Sequence, residues 1–76
     1  MRLNDGFSRD LPNVVELFDY GDRIDGQYVY SGHAIKGTSE DADTWIIFRY
    51  YYNESNQVYK KESVEGAWSL REEYFV

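Results

Sequence analysis

The sequence predicts an all-β fold, a small antiparallel β-sandwich or barrel of five to six short strands. Three observations carry that expectation. Fourteen of the 76 residues are aromatic (eight Tyr, four Phe, two Trp), and rings with β-branched side chains suit a pleated, half-buried surface. Turn-forming clusters recur every eight to twelve residues, the spacing of a small all-β domain. Helical periodicity nowhere lasts beyond a turn or two.

Residues 1–13 read as an N-terminal arm. Asn4, Asp5, Gly6, Ser8, Asp10 and Pro12 separate the isolated apolar residues Leu3, Phe7 and Leu11. Residues 14–76 read as a single β domain. Val14–Phe18 is a short β-like run, and the preceding Pro12 fits a strand start or edge. Asp19–Gly26 is turn chemistry ending in Asp25-Gly26, a strong reversal signal. Gln27–Ser31 alternates, with Tyr28 and Tyr30 on one face. Gly32 then interrupts, as a bulge or a close-approach glycine does, and His33-Ala34-Ile35 continues the strand.

Lys36–Asp43 is a polar loop, of which Thr38–Asp43 is expected to cross between sheets. Thr44–Tyr52 follows as a central strand. Trp45, Ile47 and Tyr51 fall on one side; Ile46, Phe48, Tyr50 and Tyr52 fall on the other. Both sides are apolar, which predicts cover on both. Asn53–Gln57 is a hairpin loop, and Val58–Glu62 returns as a charged edge strand. Ser63–Gly66 reads as a turn. Trp68–Arg71 reads as one tight turn, with Ser69 and Glu72 at capping-box spacing. Glu73–Val76 reads as a terminal strand.

Composition narrows the function. Eight Lys/Arg against fourteen Asp/Glu give a net charge of −6. The absence of cysteine removes disulfides and thiolate metal sites. No run approaches the roughly 18–20 apolar residues of a membrane span, and Met1–Gly6 has no apolar signal core. Phe48-Arg49-Tyr50-Tyr51-Tyr52 has the look of a base-stacking platform, but such platforms sit in basic grooves. Residues 39–76 hold four Lys/Arg and eight Asp/Glu, net −4, so phosphate is repelled. The expectation is therefore no nucleic-acid and no membrane partner.

Chemistry-bearing constellations are sparse. His33 is the single histidine, so a nucleophile–base pair is hard to assemble. Asp19, Asp22 and Asp25, like Glu40, Asp41 and Asp43, are acidic clusters. Their spacing departs from a calcium loop of the EF-hand type; turn-forming aspartates in solvated loops account for them. No enzyme activity, no metal and no cofactor is expected.

One longer pattern stands out. Tyr30, Gly32, Ala34, Gly37, Thr38, Trp45, Ile47 and Arg49 fall in the order aromatic–x–Gly–x–Ala, then Gly–Thr, a short polar insert and Trp–x–Ile with a basic residue soon after. Trp68, Arg71 and Tyr74 add a closing Trp–x–x–Arg and an aromatic residue. This resembles small virion structural proteins of tailed bacteriophages, over residues 28–76. His33, Ile35 and the heavy Tyr50–Tyr52 run depart from it.

The resemblance implies a non-enzymatic structural component of the tail, neck, baseplate, fibre attachment or capsid decoration. It would assemble in the bacterial host cytoplasm and act by contacts with other virion proteins, or with itself as a homo-oligomer. Gly32, Gly37, Trp45, Trp68 and Arg71 are then fold determinants, Trp45 and Trp68 as two core anchors. Leu3, Phe7, Leu11, Tyr50, Tyr51 and Tyr52 are the expected partner contacts. The alternative expectation is a small acidic phage-encoded inhibitor that mimics DNA to block a host DNA-binding protein, which the net charge motivates.

Overall fold

A computed structural model describes residues 13–75. The expected contacts Leu3, Phe7 and Leu11 lie outside the described residues, as does the arm over residues 1–12. The fold is mostly β: β1 (Val14–Asp19), β2 (Tyr30–Ile35), β3 (Trp45–Tyr52) and β4 (Val58–Gly66), followed by a 3₁₀ segment (Trp68–Phe75). The strands form one antiparallel sheet in the order β1-β2-β3-β4. Each strand therefore pairs with its sequence neighbour, the simplest meander that short loops allow.

Several expectations are corrected here. Four strands are present among the described residues, and β1 and β4 are edges, so the sheet is not a closed barrel. The loop after β2 joins adjacent strands of one sheet and does not cross between sheets. Tyr28 precedes β2, which starts at Tyr30, and the two rings expected on one face part company: Tyr30 joins the core, whereas Tyr28 packs against Phe18 and Tyr50 on the other side. Ser63–Gly66 is no turn, because β4 runs on to Gly66 with Ser63 opposite Phe48 and Gly66 opposite Trp45. Pairing along the whole of β3 outweighs the weak turn propensity of these residues. Glu73, Tyr74 and Phe75 belong to the 3₁₀ segment, not to a terminal strand.

The register sorts the side chains onto two faces. On one face lie Val15, Leu17, Tyr30, Gly32, Ala34, Trp45, Ile47 and Val64. The 3₁₀ segment folds back over it, and Trp68, Tyr74 and Phe75 pack there. Ile47 is fully buried, Trp45 is 1% exposed and Trp68 4%. The indole centroids of Trp45 and Trp68 are 6.1 Å apart and their planes are inclined by 40°. A straight terminal strand brings alternate residues to one face; the compact segment, kinked at Leu70, brings Trp68, Tyr74 and Phe75 down together.

Polar contacts lock this closure. The indole N–H of Trp45 donates to the Ser39 carbonyl (2.8 Å). The Ala67 N–H donates to the Tyr74 hydroxyl (2.8 Å). Ser69 donates its hydroxyl to Asp41 (2.7 Å) and its N–H to the Glu40 carbonyl (3.0 Å). Ser69 thus ties the segment to the β2–β3 loop, in place of the expected box with Glu72. Gly37 turns in that loop with φ +92°, a conformation glycine adopts without strain.

Candidate docking face

The opposite face of the sheet has no segment packed over it among the described residues, so the cover expected on both sides of the central strand is present on one side only. Its rows follow from the register, two residues apart along each strand. Glu16, His33, Ile46 and Glu65 form one row; Phe18, Ser31, Phe48 and Ser63 form the next; Tyr50 and Lys61 begin the third. Tyr28 and Tyr20, from the β1–β2 loop, continue the aromatic surface. Alternation in β3 alone puts Ile46, Phe48, Tyr50 and Tyr52 here, and that much is readable from the sequence. Strand register then adds Phe18 and Lys61, which no local signal marks.

The rings form a connected layer. Phe18 and Tyr28 have centroids 4.7 Å apart. Tyr28 meets Tyr50 edge-on at 5.0 Å, and Phe48 lies 6.4 Å from Tyr50. Lys61 places its ammonium 4.5 Å from the Phe48 centroid, a cation–π contact. Phe18 is 42% exposed, Ile46 42% and Ile35 64%. A small domain rarely leaves so many large apolar groups side by side without a use for them.

Three hydroxyls on this face are engaged within the chain. Tyr50 and Ser31 share a hydrogen bond of 3.0 Å, and the Tyr52 hydroxyl donates to the Tyr28 carbonyl. Burial, then the neighbouring Tyr50, raises the Tyr28 phenol above its ordinary range. Burial also raises Tyr52. Both rings are thus neutral, and the face presents apolar bulk more than free hydrogen-bonding groups. The His33 Nε2 lies 2.7 Å from Glu16, while its Nδ1 is buried without a partner among the described residues.

At one end the layer runs into a groove of about 230 Å³ lined by Gly26, Gln27, Tyr28, Tyr50, Tyr52 and Val58. Beside it lies an open depression of about 350 Å³ formed by Asp22, Arg23, Ile24, Asp25 and Asn56. Arg23 closes the boundary between them. Its guanidinium stacks 3.7 Å from the Tyr52 centroid, pairs with Asp25 and reaches the Asn56 side chain at 3.0 Å. Hydrogen bonding from Arg23 holds Asp25 below the usual carboxylate range. Ile24, at the loop tip, is fully exposed.

The structure separates the expected contacts at positions 50–52. Tyr50 and Tyr52 belong to the open face. Tyr51 points to the other side, where its hydroxyl donates to Glu62 (2.6 Å) and Arg49 stacks 4.8 Å from its ring. The residues read as fold determinants lie elsewhere: Gly32, Trp45 and Trp68 meet on the closed face, and Gly37 sits in the β2–β3 loop. Arg71 stacks 4.4 Å from the Trp68 ring. It donates to Asp19 (2.9 Å) and to the Trp68 carbonyl (3.0 Å). Burial alone raises the Asp19 carboxyl; the Gly21 N–H and Arg71 more than offset this, so it lies below its ordinary range.

The acidic clusters are partly spent in such pairs, Asp19 on Arg71 and Asp25 on Arg23. Among the described residues no group of three or more His, Asp or Glu is placed to hold a metal ion. Compared with known families, curated proteins and solved structures, the chain matches none.

Proposed function

We propose that this chain is a non-enzymatic docking module of a bacteriophage particle, a component of the tail, neck, baseplate, fibre attachment or capsid decoration. The supporting observation is the one-sidedness of the sheet. Its own C-terminal segment covers one face, while the other exposes a connected layer of rings with Ile35 and Ile46 at its margin. Apolar surface at that density gains free energy when a partner removes it from water, about 25 cal/mol per Å². Aromatic side chains are the usual anchors of such contacts. In this reading the partner, a virion protein or another copy, supplies the second layer of a β-sandwich that a single chain lacks. Neither nucleic acid nor membrane is the partner.

Mass-spectrometric inventory of purified particles tests the reading. The chain is expected to co-purify in stoichiometric amount, and Phe48→Glu is expected to be folded yet missing from particles. Absence of the wild-type chain, together with salt-sensitive competition against DNA for a basic host protein, would favour the acidic inhibitor instead.

A further inference from the structure

We infer that the open face closes on a second copy of this chain, forming a two-fold β-sandwich whose dyad runs across the strands along the row Phe18–Ser31–Phe48–Ser63. The inference rests on reading that face as a docking surface, and it names the occupant.

The charges on β4 carry the argument. On this face Glu65 and Lys61 lie two residues to either side of Ser63, opposite Ile46 and Tyr50 of β3. Each is therefore about 6.6 Å along the strand from the central row. A dyad across the strands lays β4 over β4 of the second copy and exchanges the rows about the centre. Glu65 then faces the partner's Lys61, and Lys61 faces the partner's Glu65. The same operation sets Phe48 on the partner's Phe48. It covers the half-exposed Ile46 with the partner's Tyr50.

The competing face-to-face arrangement fails on the same charges. A dyad parallel to the strands lays β1 over β4 of the second copy and leaves each row in place. Glu16 shares its row with Glu65, so that packing sets Glu65 against a second carboxylate whose neighbour is His33 and not a lysine, a costlier match than Glu65 on Lys61. Opposite charges in one arrangement and like charges in the other specify the orientation. The interface is small. Four strands about 4.8 Å apart and six residues rising about 3.3 Å each project roughly 400 Å² per copy, about 800 Å² in total, which is below the size of a stable complex and makes this a weak, transient contact.

Sedimentation equilibrium of the full chain tests this. The wild type is expected to dimerise with a Kd of about 1–100 μM. Lys61→Glu opposes two carboxylates and Glu65→Lys opposes two ammonium groups. Each is expected to weaken the dimer at least about ten-fold while circular dichroism stays unchanged. Combining them is expected to restore the dimer to within about three-fold of the wild type. A wild type that stays monomeric at about ten times that range, or a double variant as weak as the singles, would overturn the inference. Particle inventory separates the two readings. A monomeric chain that still enters particles through Phe48 ends the self-association and keeps the docking module. A dimer with the expected charge rescue that is absent from particles does the reverse.

Discussion

Gly32 and Trp68 are in van der Waals contact across the closed face: an ideal Cβ on Gly32 would lie 2.5 Å from Cε3 of Trp68 and 3.3 Å from Cε3 of Trp45. The glycine in β2 is thus a floor for the two mutually tilted indoles, and its φ is ordinary for a strand. Any side chain here pushes on rings held from both ends. Gly32→Ala is expected to destabilise by about 1–3 kcal/mol through overpacking. Urea unfolding followed by tryptophan fluorescence reads this, and an unchanged midpoint would refute the contact.

Trp45 is the larger commitment. It is 1% exposed and its N–H is hydrogen-bonded to the Ser39 carbonyl. Trp45→Ala removes the ring and leaves a cavity, at a cost of about 3–5 kcal/mol. A domain this small has little more stability than that. The expected product is unfolded or insoluble, seen as loss of the β-type circular dichroism spectrum. A folded variant with an unaltered melting temperature would contradict the account of the core.

Tyr74 has a polar role as well as a packing one. Its hydroxyl accepts the N–H of Ala67, and Ala67 is 4% exposed. Tyr74→Phe keeps the ring over Gly66 and strands that donor, which costs about 1–3 kcal/mol. Hydrogen exchange at the Ala67 amide is expected to quicken in the variant. Unchanged protection there would show that another acceptor serves the amide.

The Asp19–Arg71 pair fixes the 3₁₀ segment to the end of β1, and its acid behaviour has a definite sign. The folded carboxyl lies below its ordinary value, while an unfolded Asp titrates near about 3.9. The stabilisation is therefore complete above that value and is lost as pH falls through the lower, folded one. Asp25 and Glu62 are shifted the same way, so the test is a difference. Asp19→Asn is expected to lose about 1 kcal/mol at neutral pH and to show a shallower decline below about pH 4 than the wild type. Parallel acid limbs for the two proteins would remove Arg71 and Gly21 as the cause.

Much of the β architecture is legible in the sequence, and the reasons for the rest are physical. The strong alternation from Trp45 to Tyr52 locates β3 and divides its two faces correctly, because a strand buried on one side and ring-covered on the other leaves apolar residues on both. The C-terminal end is not legible. Glu73-Tyr74-Phe75 has strand-like composition, but its conformation is set by what lies across the chain: Gly66 beneath Tyr74 and Tyr30 beside Phe75, 6.0 Å between centroids. The turn expected at Ser63–Gly66 fails for a like reason, since long-range pairing with β3 decides it. The docking face is half legible. Tyr50 and Tyr52 are found by alternation, while Phe18 and Lys61 join them only through the register of neighbouring strands.

Ile46 and Ile47 offer the most direct test of a sheet with one closed and one open face. They are adjacent in β3, alike in chemistry and opposite in orientation: Ile47 is fully buried and Ile46 is 42% exposed. The measurement is urea unfolding of Ile46→Ser and Ile47→Ser, at dilution where any self-association is absent. Ile47→Ser is expected to cost about 3–5 kcal/mol, whereas Ile46→Ser is expected to stay within about 1 kcal/mol of the wild type and yet lose binding to its partner. Equal losses of stability at the two positions would contradict the account.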